Sequence, residues 1–420
     1  MFYDAVDEVS YITGTFSMVG DDSCNMIKWD GHTFTLLPQV PIPYNITTLA
    51  RYKDKIYAGG GNGLASWDGT SWMYIDDASV FNLYVHDDKL YVAGGFSEIG
   101  GSPIGSLASW NDTTWSDVFR FDTFANPVTT WLKSVSFYQG QLYVAGNINS
   151  NDGTNYNIVR FDGSQWRDVG GQIQGIQGPF VNDLLVWNDT LYVGGAFREE
   201  DGGPGNGIAA WDGTTWHRLL GGVTYNDNPS VADMMVLNDE LYVTGWFWAV
   251  NGIDLHIPDM FTGFAKWDGS EWCTLGTIGD GILYNLGNFR DSLYLMGGFE
   301  QLNGDSMRYI AKWIGGDYTD SCSAESPSSI IASPAEQENL MAIYPNPAKD
   351  VLNIRWRGDG SGMLSLRVYD RLGRVVLKKE ILPVPHQLNR LPVAHLTSGL
   401  YLLQVTDARA RQETHQFIKE

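Results

Sequence analysis

Cysteine is scarce in this chain, with Cys24, Cys273 and Cys322 standing alone among 420 residues. Three such widely spaced thiols exclude paired CxxC zinc sites and allow one disulfide at most. Charge is thin as well: 18% of residues are Asp, Glu, Lys or Arg, below the rough quarter of ordinary globular chains. No run approaches the ~20 consecutive apolar residues of a membrane-spanning helix. The first 30 residues lack the basic start and apolar segment of a signal peptide, so an export signal is expected further upstream in the native reading frame. The seven histidines show neither HxH nor HExxH spacing, and no metal site is expected.

Basic charge is missing from most of the chain. The net charge is −22, yet residues 340–420 hold 12 Lys/Arg against 7 Asp/Glu, which leaves 15 against 42 before them. Two differently charged units are joined. The acidic body repels phosphate backbones and anionic lipid heads, which argues against nucleic acid as a partner. What the chain has in abundance is glycine (48) and tryptophan (16), with 43% hydrophobic residues. That balance suits glycine-cornered strands packed through aromatics and predicts an all-β protein.

One phrase recurs. It reads Leu90-Tyr-Val-Ala-Gly-Gly-Phe96, Leu142-Tyr-Val-Ala-Gly146, Leu191-Tyr-Val-Gly-Gly-Ala-Phe197, Leu241-Tyr-Val-Thr-Gly-Trp-Phe247 and Leu293-Tyr-Leu-Met-Gly-Gly-Phe299, with weaker copies at Tyr11 and Tyr57. Successive tyrosines lie 46, 34, 52, 49, 50 and 52 residues apart. A second phrase, typified by Trp67-Asp-Gly and Trp211-Asp-Gly, follows each copy, and another aromatic sits five residues beyond its first. Asp-Gly supplies the positive φ of a tight hairpin, and the flanking aromatics can meet across it. An alternating segment ending in a polar pair, such as Asn188-Asp189, precedes each Leu-Tyr-Val and reads as a further strand. Each unit thus holds four short antiparallel strands, and seven such units predict a seven-bladed β-propeller over residues 1–319. The glycines of the second strand are expected to let neighbouring blades approach closely.

These phrases resemble the kelch and galactose-oxidase type of propeller, and more closely the repeats of extracellular bacterial and fungal surface proteins. The resemblance implies a fold and hardly any chemistry. Copper chemistry of the galactose-oxidase kind would need a crosslinked Tyr–Cys pair with two further His ligands, a set that no blade offers.

Residues 320–340 shift to Ser, Pro, Ala and Glu and read as a linker. Short alternating strands over 341–420 predict a small β-sandwich. Its phrases are Tyr344-Pro345-Asn346-Pro347, Leu352-Asn-Ile354, a turn ending in Gly373, Gly399-x-Tyr401 and the near-terminal Lys419. In this order they resemble the type A C-terminal sorting domain of the Bacteroidetes type IX secretion system. That resemblance implies export to the cell surface or medium, with the secretion machinery as partner.

Candidate chemistry is sparse. Glu199, Glu200 and Asp201 could supply paired carboxylates for glycosidase work, and Asn149, Asn151 and Asp152 are mildly like a calcium loop; a solvated loop is the stronger reading of each, and no cofactor is expected. The longest loop of the variable face, from Trp246 through Trp248 and His256 to Phe261, is aromatic enough to stack on a sugar ring or grip a partner. Padding of the blade junction is the competing reading of each residue singly. Cys24 and Cys322 fall in neighbouring blades of a closed ring, where a bond between them would staple the seam and leave Cys273 odd; three unpaired thiols are the alternative. The sequence favours a secreted non-catalytic binding propeller, with a carbohydrate-active hydrolase or lyase and a structural surface module as the other readings.

Overall fold

A computed structural model describes the whole chain except residues 15–23, 119–130, 150–154, 172, 174–179, 226–228, 255–262, 276–279, 303–304, 307, 314–340, 345–347, 357–362, 371–373, 382–387, 407–411 and 420. It divides into two compact units, Met1–Glu325 and Ser326–Glu420.

The first unit is built from antiparallel sheets in chain order. Six have four strands; the fifth of the series, for example, runs Phe180–Trp187, Thr190–Ala196, Ile208–Trp211 and Trp216–Arg218. The seventh shows three strands, Leu283–Phe289, Ser292–Gly297 and Ile310–Trp313; the fourth strand expected near Tyr318 lies outside the described residues. Both turns read from the sequence form as expected. In the Asp-Gly hairpins the glycine takes positive φ (+98° at Gly69 and Gly213), and the preceding carboxylate accepts the next two main-chain N–H groups, Asp212 from Thr214 and Thr215 at 2.7 Å. Hydrogen bonds hold three of these carboxyls below the ordinary range: from the Ser71 amide and Thr70 at Asp68, from the Ser164 hydroxyl and Gln165 amide at Asp162, and from the His217 ring and Thr215 amide at Asp212. In the Asp87-Asp88, Asn188-Asp189 and Asn238-Asp239 turns both central residues are left-handed, +48° and +52° at Asn188 and Asp189.

Successive sheets are joined through their cores. Leu184, Val193 and Ala209 of the fifth sheet share a cluster with Tyr143, Ala145 and Ile158 of the fourth, and similar clusters fill the other junctions from first to seventh. The tryptophan that opens an outer strand also reaches back one sheet, Trp216 to the Val169 carbonyl (3.0 Å) and Trp272 to that of Leu219 (2.8 Å). The innermost strands lie side by side, and the seventh touches the first: Ser10 Oγ donates to the Asn288 carbonyl (3.3 Å) and the Tyr3 and Phe289 rings meet at 5.7 Å.

Six sheets share a bulge in the innermost strand, at Thr47, Phe81, Lys133, Asn182, Ala232 and Tyr284. Opposite each bulge sits the second-strand glycine. A Cβ there would lie 2.0 Å from the Phe180 carbonyl oxygen at Gly195, 1.9 Å from that of Ser79 at Gly94 and 2.1 Å from that of Ile282 at Gly297. The close approach expected between blades holds for the glycine one position earlier, since a Cβ on Gly194 would meet Val231 of the next sheet at 2.8 Å. The second glycine is instead required by its own sheet.

The seam staple is corrected. Cys24 is a free, buried thiol, while Cys273 is disulfide-bonded. Cys24 is 3% exposed, and the next residue, Asn25, bonds the main chain of Val40 at 2.9 and 3.2 Å. Cys273 stands on the outer strand of the sixth sheet, opposite Lys266. Cys322 lies outside the described residues.

The second unit stacks a three-stranded sheet (Met341–Tyr344, Val351–Trp356, Leu388–Pro392) on a four-stranded one (Val375–Ile381, Leu364–Asp370, Gly399–Thr406, Gln412–Lys419). Leu352, Ile354 and Leu391 of the first share a core with Leu366, Val368, Leu403 and Phe417 of the second, which makes a β-sandwich.

The glycine contacts generate a paired prediction. Gly195→Ala forces a methyl into a carbonyl and should destabilise the first unit by about 1–3 kcal/mol, whereas Gly298→Ala, whose Cβ would have its nearest neighbour at 3.7 Å, should be near neutral. Urea unfolding of both variants checks this.

Candidate ligand-binding rim

A bulge places two consecutive residues of one strand against a single partner and re-aims the side chains beyond it. Here it sends one side chain to the starting end of the innermost strand and the next toward the neighbouring sheet. The starting ends carry unusually exposed aromatics: Trp131 (57% exposed), Phe180 (39%) and Tyr284 (50%), with Trp246 (39%) paired in register beside Ser230. Burying such rings ordinarily rewards the fold, and here each leaves an apolar face open to solvent at this edge.

The rim is continuous across sheets. The Phe81 and Trp131 rings lie 6.5 Å apart, joining the third sheet to the fourth. From the fourth to the fifth, Lys133 Nζ sits 5.7 Å over the Phe180 ring and donates to Asn182 Oδ1 at 3.1 Å. Asn182 Nδ2 then donates to Ser230 Oγ (3.2 Å) and to the Val231 carbonyl (2.8 Å) of the sixth. Trp246 packs edge-on against Tyr225 at 5.8 Å. Although Lys133 reaches solvent, the protein crowded around it lowers its pKa by desolvation. Flat apolar faces thus alternate with amide and ammonium donors along one strip.

Of the residues singled out from sequence, Trp246 belongs to this strip. Trp248 is half-buried against Tyr225 (4.7 Å), and its amide donates to the Thr224 carbonyl. Phe247 and Val250 between and beyond them are buried, so the loop is partly padding. His256 and Phe261 lie outside the described residues. Glu199, Glu200 and Asp201 form a short 3-10 turn whose carboxylates pair with arginines: Glu199 with Arg218 at 3.0 Å, Glu200 with Arg198 at 2.6 Å and Asp201 with Arg198 at 2.8 Å. Asn149 ends a strand opposite Asn155, while Asn151 and Asp152 lie outside the described residues. Among the described residues no three His, Cys, Asp or Glu side chains gather as a metal site. Phe81, Trp131, Lys133, Phe180, Asn182 and Tyr284 escaped the sequence reading.

In the second unit, Tyr401 is buried, stacks on Phe417 at 5.6 Å and donates its hydroxyl to the Thr397 carbonyl at 2.8 Å. Gly399 takes φ +155° opposite Lys419, whose side chain is buried, and Ala348 bridges to Lys419 in parallel. Tyr344 pairs with Asn353; Pro345, Asn346, Pro347 and Gly373 lie outside the described residues. Residues 342–420 match the secretion system C-terminal sorting domain family. This tail marks the protein as a substrate of type IX secretion, destined for the cell surface or the medium. No curated protein matches the chain. No described helix is long and apolar enough to cross a membrane.

Because the two units have separate cores, deleting residues 342–420 should leave the first folded while abolishing its export. Fractionation of a type IX-competent host checks this: truncated protein retained inside the cell is the expected outcome, and truncated protein at the surface contradicts the assignment.

Proposed function

We propose that residues 1–319 form a closed seven-bladed β-propeller that acts outside the cell as a non-catalytic binding module, with the rim as its ligand-contacting surface and the tail as its export signal. The ring reading draws support from the side-by-side innermost strands and from the contacts between the seventh and first sheets. The binding reading rests on one observation, the strip of Phe81, Trp131, Lys133, Phe180, Asn182 and Trp246 that crosses four sheets.

The chemistry of the strip favours an uncharged glycan. Aromatic planes accept the C–H faces of sugar rings, and the N–H groups of the Lys133 ammonium not given to Asn182 offer donors to ring hydroxyls. The acidic surroundings disfavour a polyanion. The loop carboxylates once suited to hydrolysis are held by Arg198 and Arg218.

The test is a panel of neutral oligosaccharides titrated against the full chain, read by tryptophan fluorescence. A bound sugar should lose about 3- to 10-fold in affinity on Trp131→Ala or Phe180→Ala, from stacking contributions of roughly 0.5–1.5 kcal/mol, with unfolding midpoints unchanged. Binding indifferent to both substitutions would place the ligand elsewhere, and a panel with no binder would overturn the glycan reading.

A further inference from the structure

After four of the six bulges the next residue reaches toward the following sheet and there accepts a main-chain N–H. Thr48 takes that of Leu83 (3.1 Å), Ser134 that of Leu184 (3.1 Å), Asp183 that of Met234 (3.1 Å) and Asp233 that of Leu286 (2.6 Å). A neutral hydroxyl does this work in two places. In the fifth and sixth sheets a carboxylate does it, and the amide that Asp183 Oδ2 holds belongs to Met234, the residue directly after Asp233.

Among the described residues no basic side chain pairs with either acid. Asp183 faces Ser134 Oγ (3.3 Å) and the Leu184 amide (2.9 Å). Asp233 stands in register with Thr244, a fully buried residue whose hydroxyl has no hydrogen-bond partner. Lys133, on the preceding sheet, is committed to Asn182 and Phe180. The groups bonded to the acids are N–H and O–H donors, an environment suited to a carboxylate or a shared proton and lacking the oxygen ligands a hard cation requires. Each acid keeps a narrow solvent-accessible strip, so protons can exchange.

We propose that Asp183 and Asp233 hold a shared proton in mildly acidic solution and act as a pH-sensitive staple joining the fifth, sixth and seventh sheets. Loss of that proton puts two like charges beside one amide, and the staple loosens. The cost is felt at the rim, because Asn182, next to Asp183, bonds Ser230 and Val231. Desolvation raises both acids, Asp183 to about 6 and Asp233 to about 7, with the charge of Asp183 adding to the rise at Asp233. A carboxyl raised by folding favours the native state below its ordinary value near 4, and that advantage disappears as pH climbs through the folded value. The window therefore runs from about pH 4 to about pH 7 and flattens above it. The lowered turn carboxylates titrate on the acid side of this window.

The experiment is urea unfolding of the full chain between pH 5 and pH 9, comparing wild type with Asp183→Asn and Asp233→Asn. The folding constant of wild type should fall relative to each variant by up to about tenfold per pH unit per proton, then hold a fixed ratio above pH 8. Hydrogen exchange at the Met234 amide in wild type should lose protection over the same range, a readout that survives if a variant fails to fold. Parallel pH curves with unchanged Met234 protection would overturn the proposal. So would recovery of wild type at pH 8 by millimolar calcium or magnesium, since the pair would then hold a cation.

Discussion

The structure of the first unit hangs on a repulsion between two groups that are not both there: a Cβ on the second strand and a carbonyl oxygen on the first. Where Gly195 meets the Phe180 carbonyl, or Gly94 that of Ser79, the strands come closer than any side chain permits. That approach accommodates the extra residue of the bulge. The bulge in turn breaks the two-residue alternation of the innermost strand, so that Lys133, Asn182 and Tyr284 go to the rim while Ser134, Asp183 and Asp233 reach the neighbouring sheet. A strand without it would send its polar residues to the wrong face. Glycine spacing, rim chemistry and the bonding between sheets are therefore one constraint expressed three ways.

The repeat was legible because its signals are local. A Trp-Asp-Gly hairpin needs positive φ at one glycine and an acceptor two residues before the amides it binds, and both requirements show in six residues of sequence. The four-stranded units, their order and the sandwich of the tail follow from such signals. The rim was not legible, for a physical reason. A bulge is invisible to a search for period two, which registers Leu132-Lys133-Ser134 or Val181-Asn182-Asp183 as a lapse in pattern. In hindsight the aromatics hold fixed offsets, with Trp131 and Phe180 twelve residues before the repeat tyrosines Tyr143 and Tyr192, and Phe81 and Tyr284 ten before Tyr91 and Tyr294. The state of Cys24 was not legible for another reason: the order of blades says nothing of burial, and Cys24 is a buried, free thiol.

The two units divide the work by charge and by core. The sandwich carries the net positive charge and a self-contained apolar core, matching a domain that must fold and be recognised independently of its cargo. Several acids of the first unit, Asp68 and Asp212 among them, sit on hairpin turns where their carboxylates are bound by main-chain N–H groups. Export to an oxidising space also suits the disulfide at Cys273.

The proposed ring requires that the chained sheets close on themselves around the innermost strands. Small-angle X-ray scattering from residues 1–325 in solution measures this directly. A closed ring of that length should show a radius of gyration of about 20 Å and a single compact distance distribution. A substantially larger radius, with a long tail in that distribution, would mean an open row of sheets and would contradict the account.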